Sequence, residues 1–520
     1  MYETDVLVIG GGGAGLRAAL EAKAYGKKVL LTAKKGGNSS IQTVGAHCAV
    51  MDVPGNSDSL ERHFEDTMNS GHWLNSPELV EILVYNAPAA IKELESWGVE
   101  FLKDETDNYI LMKAGGHSFP RTIRCKEGYH QLYKVLLNKV KQAGIQIFHN
   151  FSVIKLLSDQ QKVWGAVGVN SLGELIVIKA KSVILATGGL GQIFKNTTNP
   201  AGISGDGYVL AHDAGAELID MEFIQFLPTC MIHPQQFSGM VINDTLRGEG
   251  AKLLNAKGER FMEKYSPQKM ELATRDVIAR AIYQEIKEGN GTLHQGVYID
   301  ALELSEEQIL NSFPLVKRLH AKGINLTKEY IEVAPFVHFC CGGVKIDSSC
   351  FTGIEGLWAC GETAGGIHGA NRLGGNALSE ILVFGKIAGE NAARQSSLST
   401  DSIPDFLLKE VKMLKELLDD NPFHEQINEH LSTLKDKIKT IMWDSAGIVR
   451  NKKMMGHGFQ RLEEISTELS KLQETNALGK FVPLFMTVRN MDLLGKVVLQ
   501  GAMKRKESIG THYRDDYKEK

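Results

Sequence analysis

Apolar and polar residues follow a recognisable order at the start of the 520-residue chain. Residues 5–9 (DVLVI) form a short uninterrupted apolar run, which is typical of a buried parallel strand. The stretch GGGGAG at 10–15 follows, and an alanine- and leucine-rich segment then runs to Gly26. A second apolar run lies at 27–32. This order predicts a strand, a tight turn, a helix and a second strand within about 30 residues.

The spacing of the glycines predicts a nucleotide site. Gly10, Gly12 and Gly15 fit the pattern G-x-G-x-x-G, in which the glycines shape the turn, admit a pyrophosphate and let the helix pack on the strand. The helix N-terminus adds partial positive charge. Many NAD enzymes carry an acid at the end of the second strand, but this chain reads Thr32-Ala33-Lys34 there. The pattern therefore predicts dinucleotide binding and favours FAD over NAD.

The remaining chain changes character several times. Strand-like apolar runs return at 145–187, and a turn of small residues (SGDG) stands at 204–207. Residues 226–335 carry mixed, more polar helical patterns, whereas 336–398 return to glycine-rich strands followed by one helix. From about 404 the glycine density falls, and long charged amphipathic helices take over.

These shifts predict an α/β protein in three parts. A Rossmann-like FAD-binding domain is expected to comprise residues 1–225 and 336–400, with an inserted α+β capping domain at 226–335. A separate helical domain is expected at 404–520.

Composition excludes some classes of protein. Charge is nearly balanced, with 58 Lys and Arg against 62 Asp and Glu, which argues against nucleic-acid binding. With 43% hydrophobic residues, the chain is expected to fold around a sizeable core. Seven cysteines without a C-x-x-C pair argue against a disulfide framework and against a zinc or iron–sulfur site within the chain.

The expected location is cytoplasmic. The N-terminus lacks the basic region of a signal peptide, and the cysteine content suits a reducing compartment. Apolar runs are too short to cross a bilayer, which needs about 20 apolar residues. Any peripheral contact with a membrane is therefore expected to go through a partner.

Taken together, the motifs resemble those of the flavoprotein subunits of succinate dehydrogenase and fumarate reductase, with L-aspartate oxidase as a close relative. The resemblance covers nearly the whole chain. The matching stretches are GGGGAGLRAA at 10–19, ATGGLG at 186–191, DMEFIQF at 220–226, LRGEG at 246–250, TRDVIARA at 274–281, HFCCGG at 338–343, GLWACGETAGGIHGANRLGGNALSE at 356–380 and KESIGTHYRDDY at 506–517.

The resemblance implies a reaction in which a hydride passes between FAD and a carbon of a dicarboxylate, while an arginine exchanges a proton with the neighbouring carbon. Arg275 matches that arginine. Asp244 and Arg247 match a relay that keeps the arginine supplied with protons, although the family usually has Glu in place of Asp244. The alternative is a plain ion pair between residues three positions apart.

The resemblance also implies the substrate contacts. Arg372 and His338 match carboxylate-binding residues, and Asn243 stands where the family has a threonine. A second histidine of the family, in an H-P-T motif, is replaced by Leu227. Either another residue such as His233 takes over, or the substrate lacks a second carboxylate. His233 in a surface loop is an equally good interpretation.

The cofactor contacts come from the glycine motif and from the resemblance. Glu362 matches an acid that holds the FAD ribose, and Ser39 stands where membrane-bound members link FAD covalently to a histidine. Non-covalent FAD is therefore expected, which tilts the function toward reduction of a double bond or oxidation of an amine. The expected cofactor residues are Gly10, Gly12, Gly13, Ala14, Gly15, Lys34, Gly37, Asn38, Ser39, Ser40, Gly45, Ala186, Thr187, Gly188, Asp206, Glu362, Arg372, Asn376, Ala377 and Leu378.

The sequence leaves several functions open. The first is a reductase of fumarate or a similar enoate that exchanges electrons with an iron–sulfur partner. The second is L-aspartate oxidase, and the third is a related flavoprotein subunit that uses a different carboxylate. A non-catalytic flavin-binding subunit is disfavoured by the presence of Arg275, Arg372 and His338.

Overall fold

The computed structural model describes residues 1–39, 46–242, 244–313, 315–397, 402–419, 425–474 and 478–517. Three residues assigned to the site from the sequence, Ser40, Gly45 and Asn243, lie outside the described residues.

A mixed sheet of seven described strands forms the centre of the protein. The first strand pairs in parallel with its neighbours on both sides, and the antiparallel strands lie at one edge. The strands are β1 (Tyr2–Ile9), β2 (Val29–Ala33), β5 (Gln146–His149), β6 (Ser152–Ser158), β7 (Val163–Val169), β8 (Leu175–Leu185) and β15 (Leu357–Ala359). They confirm the strands predicted at 5–9, 27–32 and 145–187.

The carboxyl ends of three parallel strands meet at one edge of this sheet. The register places Ile9 of β1 beside Leu185 of β8, and Leu185 beside Ala359 of β15. Because ligands of open α/β sheets bind beyond the carboxyl ends of the strands, this edge is the expected cofactor site. The segments that begin at Gly10, Ala186 and Cys360 leave the sheet there.

Helices cover the sheet, and two of them approach each other closely. They are α1 (Gly13–Ala24) and α11 (Asn376–Ser396). A Cβ on Gly389 would lie 2.4 Å from the carbonyl oxygen of Ala18, so no larger residue fits there. The other helices and short strands of this part are α2 (Leu60–Ser70), α3 (Pro77–Ser96), α4 (Tyr129–Gln142), α5 (Asp206–Asp213), β3 (Ala46–Cys48), β4 (Thr122–Arg124), β9 (Leu218–Ile219), β14 (Gly343–Lys345) and β16 (Ala364–Gly365).

Residues in the range 231–333 build a second hydrophobic core. It is built on an antiparallel sheet with the order β10 (Ile224–Met231), β13 (Ile331–Cys340), β12 (Val297–Asp300) and β11 (Lys252–Leu254). The helices of this part are α6 (Asp244–Gly248), α7 (Met262–Tyr265), α8 (Arg275–Lys287), α9 (Glu306–Ser312) and α10 (Val316–His320). The boundaries predicted at 226 and 336 fall inside β10 and β13, which pair with each other.

Long helices form the C-terminal part of the chain: α12 (Asp405–Asp419), α13 (Glu425–Ala446), α14 (Lys452–Glu474) and α15 (Val482–Lys504). Within the described residues, no helix is long and apolar enough to cross a membrane. The α/β fold class with a helical C-terminal region is confirmed, and the division into three domains stays a prediction.

Candidate active site

Glycines shape the cradle where β1 meets α1. Gly10 has a φ of +123°, and a Cβ there would lie 2.1 Å from the carbonyl oxygen of Ala186. A Cβ on Gly15 would lie 1.8 Å from the carbonyl oxygen of Gly10. The N-cap residue of α1, Gly12, provides no side-chain cap. The N-terminus of α1 therefore lies at this cradle, where the helix dipole favours an anion.

A half-buried carboxyl lies beside the segment that leaves β8. Glu362 accepts a hydrogen bond from the amide of Cys340 at 3.0 Å, and a Cβ on Gly189 would lie 2.1 Å from its Oε1. Burial raises the pKa of Glu362 to about 7. The structure thus brings Glu362 to the expected cofactor edge, next to Thr187 and Gly188.

Lys34 and Asp206 meet at the end of β2. Lys34 Nζ lies 2.6 Å from Asp206 Oδ2 and 3.1 Å from the hydroxyl of Thr487, while Asn490 donates to Asp206 Oδ1 at 3.0 Å. Burial by itself would raise the pKa of Asp206, but the charge of Lys34 and these hydrogen bonds hold it below its usual range. Thr487 and Asn490 belong to α15, which is far from Lys34 and Asp206 along the chain. Sequence reasoning therefore missed them.

Two unpartnered oxygens lie in the segment after β2. Asn38 Oδ1 and Ser39 Oγ are buried and lack a hydrogen-bond partner among the described residues, and Gly37 beside them has a φ of +83°. Buried polar atoms normally have a partner. These oxygens and the glycine cradle therefore fit a bound cofactor that carries polar groups.

The start of α11 is held from the other side. The N-cap Gly375 has a φ of +88° and provides no side-chain cap. Asn376 Oδ1 accepts from His63 Nε2, and Asn376 Nδ2 donates to the hydroxyl of Thr67, at 2.9 Å each, so this side chain is engaged within the chain. The sequence predicts Asn376, Ala377 and Leu378 at the cofactor, and the structure leaves the helix N-terminus, rather than the Asn376 side chain, for that contact.

A half-buried carboxylate joins two arginines. Asp244 Oδ2 accepts from Arg275 Nε at 2.8 Å, and Asp244 Oδ1 accepts from Arg247 Nη2 at 2.8 Å. Burial would raise the pKa of Asp244, but the charges of both arginines hold it well below its usual range. The predicted relay residues are therefore in direct contact, beyond a simple pair of residues on one helix.

Arg247 is anchored on its far side. Its Nη1 donates to the hydroxyl of Thr229 at 2.6 Å, and its Nε donates to the carbonyl oxygen of Glu271 at 3.1 Å. The side chain is 3% exposed, against 20% for Arg275. Arg275 is therefore the member of the group that can reach a substrate.

Gln225 of β10 connects the arginines of the site. Its Oε1 accepts from Arg275 Nη1 at 3.2 Å and from Arg372 Nη2 at 2.9 Å. Its Nε2 donates to Asn371 Oδ1 and to the carbonyl oxygen of Arg372. Gln225 was not among the predicted site residues, although an uncharged polar residue inside an otherwise apolar strand was a usable signal.

Arg372 has the features of an anion receptor. It is 6% exposed, and its Nε has no hydrogen-bond partner among the described residues. Burial and the nearby charge of Arg275 lower the pKa of Arg372 to about 10. The guanidinium lies over the ring of Phe339 at 4.7 Å, which leaves its edge for a carboxylate.

His338 stands beside these arginines in a neutral form. Burial, followed by the charges of Arg372 and Arg275, holds its pKa well below the usual range. The Thr198 hydroxyl lies 2.9 Å from Nδ1. When that hydroxyl donates to Nδ1, the ring proton lies on Nε2, which can then donate to a carboxylate. Thr198 is a second residue that sequence reasoning missed.

The two residues considered for the missing histidine behave differently. Leu227 is 2% exposed and packs with Cys230, Ala334 and Phe336. His233 is exposed and stacks on His294 with ring centroids 3.9 Å apart. The surface interpretation of His233 is therefore the one that its surroundings favour.

A glycine cradle at the strand ends and a cluster of arginines around a half-buried carboxylate define a FAD-dependent oxidoreductase. The family model described as FAD binding domain matches residues 5–378, and that described as fumarate reductase flavoprotein C-term matches residues 435–520. The chain belongs to the family of fumarate reductase and succinate dehydrogenase flavoprotein subunits, to which L-aspartate oxidase is related.

Individual relatives agree with this assignment. The chain is 37% identical over 531 residues to one subunit of the fumarate reductase (CoM/CoB) of Methanothermobacter marburgensis, covering 100% of this chain and 95% of that one. It is 35% identical over 535 residues to the L-aspartate oxidase of Acinetobacter baylyi, covering 100% and 94%. Quinol fumarate reductase FrdA of Escherichia coli matches with a TM-score of 0.90 at 30% identity, covering 99% of this chain and 91% of that one. The family resemblance and FAD as the cofactor are confirmed.

The Ser39 side chain generates a prediction about the cofactor linkage. A serine hydroxyl cannot replace the histidine to which a flavin is linked, so we expect all FAD to be released when the holoprotein is precipitated with acid. Flavin absorbance of the supernatant measures this. Flavin fluorescence that stays with the denatured polypeptide on a gel would contradict it.

The Glu362 carboxyl generates a prediction for the FAD-free chain. Its folded pKa of about 7 lies above the ordinary value of 4.5, so the folded state binds this proton more tightly than the unfolded state. The resulting stabilisation is complete below about pH 4.5 and is lost as the pH rises through about 7. We expect the Tm of the apoprotein to fall from pH 5 to pH 8.

Glu362→Gln is expected to flatten that part of the Tm profile, because the amide does not titrate. The matched control is Glu217→Gln, at an exposed carboxylate that pairs with Lys345. Equal slopes for the wild type and for Glu362→Gln would refute the assignment.

Proposed function

We propose that this protein reduces the carbon–carbon double bond of a fumarate-type enoate, with non-covalent FAD and with electrons from an iron–sulfur partner. The observation that carries the proposal is the contact chain Arg275–Asp244–Arg247 beside Arg372, whose Nε has no partner among the described residues. This arrangement combines two features. Arg275 can regain a proton through Asp244, and Arg372 can anchor a carboxylate.

The reaction adds a hydride to one carbon of the double bond and a proton to the next. FAD, when bound, supplies the hydride. Arg275 is the member of the arginine cluster that is accessible enough to donate the proton. Asp244 contacts Arg275 through one oxygen and Arg247 through the other, so a proton lost from Arg275 is replaced along a continuous set of hydrogen bonds.

The carboxylate of the substrate has a distinct place. Arg372 offers a planar pair of donors, and planar guanidinium groups match carboxylates well. His338 adds a donor at Nε2 when Thr198 donates to Nδ1. Both groups also stabilise negative charge that develops on the carboxylate as the hydride arrives.

The charges favour an enoate over an amino acid. Both oxygens of Asp244 are engaged by arginines, so this carboxylate is not open to a substrate ammonium group. An ammonium group would instead face the guanidinium groups of Arg275 and Arg372, and like charges at short distance repel. L-Aspartate oxidation is therefore the weaker candidate.

The electrons are proposed to come from outside the chain. Among the described residues, no group of three or more His, Cys, Asp or Glu is arranged to hold a metal ion. Two relatives carry their electron source in their names, as a quinol fumarate reductase and as a CoM/CoB fumarate reductase. We correspondingly propose that the protein is cytoplasmic and that any contact with a membrane is made through the iron–sulfur partner.

Anaerobic mixing of the chemically reduced holoprotein with fumarate tests the function. Flavin absorbance is expected to return rapidly to that of the oxidised form. Arg275→Lys is expected to slow this step by about 10²- to 10⁴-fold, the usual contribution of a positioned general acid. Arg280→Lys is the matched control, since Arg280 lies on the same helix and pairs with Asp276.

Two results would sink the proposal. One is the absence of reoxidation by any enoate in protein with its full flavin content. The other is faster reduction of the oxidised protein by L-aspartate than reoxidation of the reduced protein by enoates, which would select the oxidase instead.

Gln225 generates a further prediction. Gln225→Leu removes a hydrogen-bond acceptor shared by two guanidinium groups, and each such charged hydrogen bond contributes about 1.5–3 kcal/mol. We expect the KM for the enoate to rise roughly 10- to 100-fold, with flavin content unchanged. Gln284→Leu, at a surface glutamine that bonds to Glu288, is the control. A Gln225→Leu protein with an unchanged KM would show that the arginines hold their positions without it.

A further inference from the structure

The walls of the site differ in chemical character. One wall is cationic, because Arg275 and Arg372 converge on Gln225 with His338 beside them. Leu227 follows Gln225 by two positions in β10, and residues two apart in a strand face the same side. Leu227 therefore belongs to the same face of β10 as the arginine-binding glutamine.

The pairing with β13 supports this placement. Leu227 lies opposite Phe336, and Gln225 lies opposite Phe339, with His338 at the irregularity between them. Phe226 points to the other side, where its ring meets those of Phe194 and Trp443. Leu227 is thus placed next along this face of β10 after the glutamine that binds both arginines.

The surroundings of Leu227 are apolar. It packs with Cys230, Ala334 and Phe336, and Ile232 and Val241 lie against this group. We call these six residues the Leu227 cluster. It also borders the proton relay, because Thr229, which lies between Leu227 and Cys230 in the chain, binds Arg247 at 2.6 Å.

Among the described residues, the free anion-binding capacity lies with the arginines and not with the Leu227 cluster. Arg275 and Arg247 share Asp244, whereas Arg372 has no ion pair among the described residues. A carboxylate against the Leu227 cluster would lose water without gaining a charged donor from it. An alkyl or ester group in the same place would gain contact with apolar surface.

We infer that the site takes α,β-unsaturated acids with a single carboxylate and an uncharged far end, and that Leu227 sets this preference. The inference rests on the proposed function, since the carboxylate anchor and the proton donor are those of the same site. The double bond gains one hydride and one proton, so a half-ester of fumarate yields the half-ester of succinate and the flavin ends oxidised.

A comparison of monomethyl fumarate with fumarate tests the inference in the reduced holoprotein. Both have the same double bond and one free carboxylate in common, and they differ in the charge at the far end. We expect the second-order rate constant for flavin reoxidation to be at least about tenfold higher for the half-ester, the scale of discrimination typical of an apolar pocket.

Variants at Leu227 test the residue itself. Leu227→His introduces a donor and is expected to raise the constant for fumarate about tenfold relative to the half-ester, thereby removing or reversing the preference. Leu227→Met keeps an apolar side chain of similar volume and is expected to keep the order of the two substrates. Flavin content and the visible spectrum identify variants that fail to fold, and Leu227→Asn then serves as a smaller polar replacement.

The possible outcomes separate the two proposals. Reoxidation by fumarate that equals or exceeds that by the half-ester in the wild type would overturn the inference and leave the proposed function standing. An unchanged substrate order in folded Leu227→His and Leu227→Asn would also overturn it. Failure of both compounds to reoxidise the flavin would overturn the inference, and failure of every other enoate as well would refute the proposed function.

Discussion

A half-buried carboxylate between two guanidinium groups is the interaction on which the site depends. Burial disfavours the charge of Asp244, and the charges of Arg275 and Arg247 more than offset that effect. Removal of one partner from such a group strands a buried charge, which costs about 3–5 kcal/mol. Because Asp244 begins α6 and Arg275 begins α8, the same contacts hold the first turns of these two helices together. The proposed proton donor, Arg275, is thus positioned by the carboxylate that pairs with its charge.

The side-chain amide of Gln225 links this group of charges to Arg372. Gln225 lies on β10, which starts beside the central part of the fold and runs into the second hydrophobic core. Through one oxygen it binds Arg275 from α8 and Arg372 from the segment before α11. The proposed proton donor and the proposed carboxylate anchor therefore come from separate parts of the chain and meet at one side chain of β10.

Local physics explains which features could be predicted from the sequence. Gly15 is required by a contact with Gly10 within the same turn, and Gly10 has a positive φ, so their spacing alone indicated the nucleotide cradle. The family motifs identified Arg275, Asp244 and Arg247, and the structure shows that these residues are in contact. Thr198 and Asn490 could not be found in this way. They are ordinary polar residues whose partners, His338 and Asp206, lie far away in the chain, and only the packing of distant elements makes them neighbours.

The charge state of the substrate anchor is insensitive to pH near neutrality. The pKa of His338 and that of Asp244 are held well below their usual values, and the pKa of Arg372 is still about 10. A neutral imidazole near these guanidinium groups therefore adds no third positive charge. Glu362, with a pKa of about 7, is different, and it lies at the cofactor edge. The carboxyl whose pKa lies near neutrality is therefore not one of the groups proposed to hold the substrate carboxylate.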